Sequence, residues 1–108
     1  MVVCLAMDAF ATLAEPTRRR ILDELRASER SVGELVDALA ISQPTMSKHL
    51  RVLRAGGLVS CRVVAQRRIY RIETAPFQAL DTWLEPYRRI WNYRLDALER
   101  HLDNEEER

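Results

Sequence analysis

Apolar residues recur along this chain with a helical period, interrupted once by a stretch of strand character. Residues 8–14 set Phe10, Leu13 and Ala14 on one side of a short helix. Pro16 opens a second helix over residues 16–27, where a missing N–H does no harm, and Ile21, Leu22 and Leu25 form its inward side. Ser31 followed by Glu34 is the signature of a capping box, and Val32, Leu35, Val36 and Leu39 supply the buried face of a third helix ending near Ala40. Only Ile41 and Ser42 precede the next helix, with Ser42 as its N-cap and Pro44 in its first turn. Gly56 and Gly57 end it with a left-handed cap.

The period then changes. Leu58–Val64 and Arg68–Ile72 are rich in β-branched and aromatic residues and read as a hairpin broken at Ala65, Gln66 and Arg67. The break lacks the Asn-Gly or Asp-Gly that fixes a tight turn, so its conformation stays open. From Pro76 the helical period returns, with Leu80, Leu84, Tyr87, Trp91, Leu95, Leu98 and Leu102 as one stripe. Pro86 is expected to kink or divide that helix. The fold class is mainly α with a small β-hairpin: four helices, the hairpin, and a long C-terminal helix. Two short helices joined by so tight a turn, followed by a hairpin, describe a winged helix-turn-helix. One domain over residues 8–103 is expected, with 76–103 as a dimerisation helix and 1–7 and 104–108 as loose termini.

At 108 residues there is no room for a second, catalytic domain. A nucleophile elbow, a phosphate-cradling glycine loop and a Cys/His pair are all missing from a sequence with three glycines, so an enzyme is not expected. The apolar run Met1–Met7 is too short for a membrane span or a signal peptide, which makes the cytoplasm the expected compartment. The change of pattern at Asp8 leaves open whether translation starts at Met1 or Met7. Cys4 and Cys61 form no metal or disulfide motif.

The net charge of +1 hides an uneven distribution. Residues 1–37 carry five arginines against seven acids, and residues 73–108 five against nine. Between them, residues 38–72 carry Lys48, Arg51, Arg54, Arg62, Arg67, Arg68 and Arg71 and no acid. Such a block is the footprint of phosphate neutralisation, so the expected partner is double-stranded DNA.

At 100° per residue, Met46, Leu50 and Leu53 occupy one narrow arc of the fourth helix, and Pro44, Lys48, Arg51 and Ala55 lie opposite, flanked by Thr45 and Ser47. The outward face is small, polar and basic. Gln43, Thr45, Ser47, Lys48 and Arg51 can therefore reach base edges, Gln pairing with adenine and Lys or Arg with guanine. His49, at the edge of the buried arc, suits a packed, hydrogen-bonded role that steadies the helix first and a base or phosphate contact second. Around the hairpin tip, Arg62, Gln66, Arg67 and Arg68 suit contact with phosphates or the minor groove, or else protection of a strand edge.

The stretches Leu13-Ala-Glu-Pro-Thr-Arg-Arg-Arg-Ile-Leu22, Ser42-Gln-Pro-Thr-Met-Ser-Lys-His-Leu50 and Leu53-Arg-Ala-Gly-Gly-Leu-Val59 resemble the ArsR-type winged-helix repressor family over about residues 8–103. The resemblance implies a homodimer that binds a palindromic operator and blocks transcription. Many members carry a metal-sensing Cys-x-Cys pair at the start of the third helix, where Ser31 and Gly33 stand here. In the last helix only Glu99, His101 and Asp103 cluster, so neither metal nor other cofactor is expected. The last helix carries more apolar surface than so small a body can cover, and Phe10, Trp83, Tyr87, Trp91, Leu95 and Leu98 are the expected dimer contacts. A winged-helix protein-interaction module is the competing reading, distinguished by its lack of salt-sensitive binding to duplex DNA.

Overall fold

The computed structural model describes residues 9–106. The open question about Met1 and Met7, Cys4 and the expected looseness of residues 1–7 all fall outside that range, as do the last two residues. Residues 9–13 are helical. There follow α1 (Pro16–Ala27), β1 (Arg30–Ser31), α2 (Val32–Leu39), α3 (Gln43–Ala55), β2 (Val59–Val64), β3 (Arg67–Ile72) and α4 (Ala75–Glu106).

One apolar core organises these elements. Ile21, Leu22 and Leu25 of α1, Leu35 and Leu39 of α2, and Met46, Leu50 and Leu53 of α3 are buried together with Leu58, Val59, Tyr70 and Leu80. These are the positions at which the 3.6-residue period repeats, so each helix turns its single apolar stripe to a common centre. The capping box at the start of α2 forms as its sequence dictates: the Glu34 N–H donates to Ser31 Oγ at 3.2 Å, and the Ser31 N–H donates to Glu34 Oε1 at 3.1 Å.

The turn between α2 and α3 is held from outside. Ala40 adopts a left-handed conformation, φ 53°, a geometry that costs a non-glycine residue about 1–2 kcal/mol. Arg20 of α1 donates to the Leu39 carbonyl at 3.2 Å and satisfies one acceptor that the end of α2 would otherwise leave open. Ser42 stands at the N-cap of α3, yet its hydroxyl makes no bond to the helix N–H groups; it donates to Thr45 Oγ1 at 2.9 Å. The expected cap bond is therefore replaced by a side-chain pair across the first turn.

The end of α3 also differs from expectation in detail. Of the two glycines only Gly57 is left-handed, with φ 75°, while Gly56 stays right-handed. Gly57 N–H donates to the Arg54 carbonyl and Leu58 N–H to the Leu53 carbonyl, both at 3.0 Å, with Leu53 and Leu58 fully buried against the core. This is a Schellman closure, with its apolar contact in place. At Gly56 the constraint is space: a Cβ there would lie 3.1 Å from Thr12 Oγ1, so the threonine side chain would have to shift.

Two readings of the sheet and one of the last helix are corrected. The sheet has three strands in the order β1-β3-β2, because Arg30 and Ser31 pair antiparallel with Tyr70 and Ile69. A two-residue strand has no period to read, and its partner lies about forty positions away. β3 starts at Arg67, opposite Val64, which leaves a two-residue turn. Ala65 and Gln66 both take positive φ, 49° and 69°, the pattern of a type I′ turn built without asparagine or glycine.

Pro86 does not divide α4, which runs unbroken over 32 residues. Side chains bridge the position where the backbone loses its donor. Arg88 pairs with Asp81 and Glu85 and also donates to the Asp81 carbonyl at 3.3 Å, and Arg89 pairs with Glu85 at 3.3 Å. The helix also continues through Glu106, past the point where the sequence pattern ended it. Its first turns hold Ala79 and Leu80 against the core; from Trp91 to Asn104 every residue is exposed, and the molecule measures 67 × 33 × 21 Å as a result.

Candidate nucleic-acid interface

α3 is fixed to the body by Met46, Leu50 and Leu53, none more than 1% exposed, and this sets its rotation. Gln43, Pro44, Thr45, Ser47, Lys48, Arg51, Arg54 and Ala55 consequently face solvent. Among the described residues, Lys48, Arg51 and Arg54 have no carboxylate partner.

A groove runs between α3, the N-terminal turn of α2 and the tip of the β2–β3 wing. Gln43, Ser47, Arg51 and Arg54 line one wall, Gln66, Arg67 and Arg68 the wing side, and Glu34 and Asp37 the side of α2. Six of the nine residues singled out in the sequence thus meet in one place. Thr45 and Lys48 lie outside that lining, on the exposed surface of α3. Arg62 is elsewhere, paired with Glu29. Arg54 was not among the readers expected from the sequence, although its signal is plain: it lies seven positions after Ser47 and three after Arg51, on the same side of the helix.

The wing arginines are less free than an acid-free block suggests, because their partners come from outside it. Arg67 donates to Ser31 Oγ at 3.0 Å and to Glu34 Oε1 at 3.3 Å. Arg71 pairs with Glu73 at 3.3 Å and donates to Ser60 Oγ at 3.1 Å. The backbone N–H of Ser31, then its side chain, and to a smaller extent Arg67 and Arg30, hold the Glu34 carboxyl below the usual glutamate range against the opposing effect of burial. Hydrogen bonding to Ser60 and the charge of Arg71 do the same for Glu73. Burial pushes the Tyr70 hydroxyl up, helped by the neighbouring Cys61.

His49 is packed as expected, but the hydrogen bond expected with that role is missing at Nδ1. Its ring is mostly buried, with Nδ1 3.9 Å from Glu15 Oε2, too far for a hydrogen bond, and Nδ1 has no other partner. Glu15 in turn caps α1 by accepting from the Arg18 N–H at 3.1 Å. Burial raises the Glu15 carboxyl's pKa, but that bond and the charge of His49 outweigh it, so the group sits below its ordinary value.

The expected dimer contacts divide in two. Phe10 meets Trp83 edge-on with ring centres 5.1 Å apart, and Trp83 lies 4.8 Å from Tyr87 in a tilted pair. Tyr87, Trp91, Leu95 and Leu98 are half or more exposed, with Ile90, Tyr93 and Leu102 beside them. No group of three or more His, Cys, Asp or Glu side chains comes together among the described residues, and no helix there is long and apolar enough to cross a membrane.

A tri-helical core presenting an exposed helix beside a β-wing defines a winged helix-turn-helix protein. The helix-turn-helix domain family matches residues 13–62. The chain is 36% identical over 97 residues to the HTH-type transcriptional regulator Rv2034 of Mycobacterium tuberculosis, covering 90% of this chain and 88% of that one. It is 42% identical over 67 residues to the HTH-type transcriptional repressor SmtB of the same species, covering 62% of this chain and half of that protein's length. The ArsR-like transcriptional regulator from Rhodococcus sp. RHA1 superposes with a TM-score of 0.72 at 32% identity, over 91% of this chain and 92% of that structure. The chain belongs to the ArsR family of DNA-binding transcriptional regulators, a non-enzymatic class.

Proposed function

We propose that the protein is a homodimeric repressor that binds an inverted-repeat operator, inserting α3 of each protomer into successive major grooves. The observation that carries this reading is the outward face of α3: eight exposed positions without an acid, among them three cations that no carboxylate of the described residues pairs with. Gln43, Thr45, Ser47, Lys48 and Arg51 read base edges, because residues near the N-terminus of this helix reach the groove floor in the motif. Arg67, Arg68 and Gln66 add backbone contacts from the wing, and Arg62 does so from the strand behind it.

The apolar stripe of α4 supplies the two-fold contact, with Phe10 and Trp83 at its near end and Trp91, Leu95 and Leu98 along its length. Such a pair sets two recognition helices about 34 Å apart, one turn of duplex. Repression then follows from occupying the promoter, in the cytoplasm where the DNA is. No metal takes part in this reading: Ser31, at one of the positions where related proteins carry sensing cysteines, has its Oγ committed to the Glu34 N–H and to Arg67.

Selection of bound sites from random duplexes by the purified protein tests the whole reading. The expected result is a motif with two-fold symmetry and half-sites one helical turn apart, bound with a steep loss of affinity as salt rises. An asymmetric motif overturns the dimer arrangement, and the absence of any selected motif overturns sequence-specific binding.

A further inference from the structure

The groove contains one arginine in a situation unlike its neighbours. Arg51 and Arg54 have no acidic partner, whereas Arg67 is seated on the capping box of α2, bonded to both of its side-chain acceptors, Ser31 Oγ and Glu34 Oε1. Three features bring it there. The type I′ turn makes Arg67 the first residue of β3, the short β1 lays Ser31 alongside that strand, and the capping box orients the Glu34 carboxylate. Arg30 stands at 4.0 Å from the other carboxylate oxygen, so the guanidinium is held by a carboxylate with its own second cation.

A carboxylate oxygen beside a hydroxyl is a fair copy of the acceptors that a DNA phosphate offers a guanidinium. We propose that Glu34 stands in for a DNA phosphate in the free protein: it holds the wing through Arg67, and DNA must displace it to recruit that arginine. The contact is suited to exchange. The Arg67 side chain is 62% exposed and that of Glu34 46%, and an ion pair so open to water is weak, whereas a duplex offers closely spaced phosphates along its backbone. Glu34 is therefore a negative determinant of DNA affinity. Arg67, once released, is a phosphate contact that neither free Arg51 nor Arg54 can replace, since both lie on the other wall.

This inference rests on the groove being the DNA-binding surface, and the test separates the two. Glu34→Gln removes the charge while glutamine still serves the capping box. Anisotropy of a labelled mixed-sequence duplex is followed over a salt series for the parent protein, E34Q, R67A, the E34Q/R67A double variant and R51A. E34Q is expected to bind about two- to fivefold more tightly, the range of an exposed ion pair. The gain is expected to vanish in the double variant. R67A is expected to flatten the slope of log affinity against log salt by about 0.9, one phosphate. Unchanged or weaker binding by E34Q, a gain that survives in E34Q/R67A, or an unaltered slope in R67A each overturns the inference. If R51A also leaves binding unchanged, the groove itself is not the DNA surface and the broader reading fails.

Discussion

Two helices leave large surfaces uncovered, and they do so with opposite chemistry. α3 exposes Gln43, Thr45, Ser47, Lys48, Arg51 and Arg54, all of which water solvates at little cost. α4 exposes Ile90, Trp91, Tyr93, Leu95, Leu98 and Leu102, each at least 49% accessible. A polar face can persist alone and wait for a ligand; an apolar stripe of that length calls for a cover. On the proposed function the contrast separates a surface that recognises from a surface that assembles.

The strongest way to break this division is to charge the assembling surface. Leu95→Asp with Leu98→Asp is expected to leave a folded monomer in sedimentation and to lower operator affinity by two orders of magnitude or more, since buried interface anchors contribute about 2 kcal/mol or more apiece. The eight buried residues of α1, α2 and α3 do not include those positions, so the helical circular dichroism of the body is expected to persist. A dimer that survives both substitutions places the contact elsewhere.

A smaller effect sharpens the recognising side. Replacing Ala65-Gln66 by Asn-Gly puts residues suited to positive φ into the wing turn. Stability is expected to rise by about 1–2 kcal/mol in denaturant unfolding, with DNA binding retained. No gain means that the wing turn is not under the strain its dihedral angles imply.

The smallest effect concerns the bridge over Pro86. Bonds from Arg88 first, then Arg89, and the charge of Arg88 hold the Glu85 carboxyl below its ordinary value. A depressed carboxylate stabilises the fold above its unfolded pKa and loses that contribution as pH falls through the folded one. Thermal midpoints at low ionic strength are expected to decline between pH 7 and about pH 3, and to decline less in Glu85→Gln. Equal declines in both proteins remove the bridge from the account.

Legibility in the sequence follows the same division. The faces of α1 to α3 were readable because each rests on a local period: Met46, Leu50 and Leu53 fix which way Arg51 points without reference to any other part of the chain. The Ser31 and Glu34 capping box was readable because its two partners are three residues apart. What stayed hidden depends on residues distant in sequence. β1 exists only through pairing with Tyr70 and Ile69, Arg20 finds the Leu39 carbonyl across a turn, and the wing arginines take their carboxylates from Glu29 and Glu34. A charge tally over residues 38–72 could not see those acids. Pro86 misled in the other direction: the helix continues through it, with the Arg88 pairs to Asp81 and Glu85 spanning the position.

The Schellman closure at Gly57 and Leu58 joins α3 to β2 with no slack, so helix and wing are two jaws on one rigid joint within a single protomer. In the proposed dimer a second copy turns the second half-site encounter into an intramolecular event, which can multiply affinity by about 10²–10⁴. On that reading the exposed length of α4 governs DNA affinity through assembly, although none of its residues lines the groove.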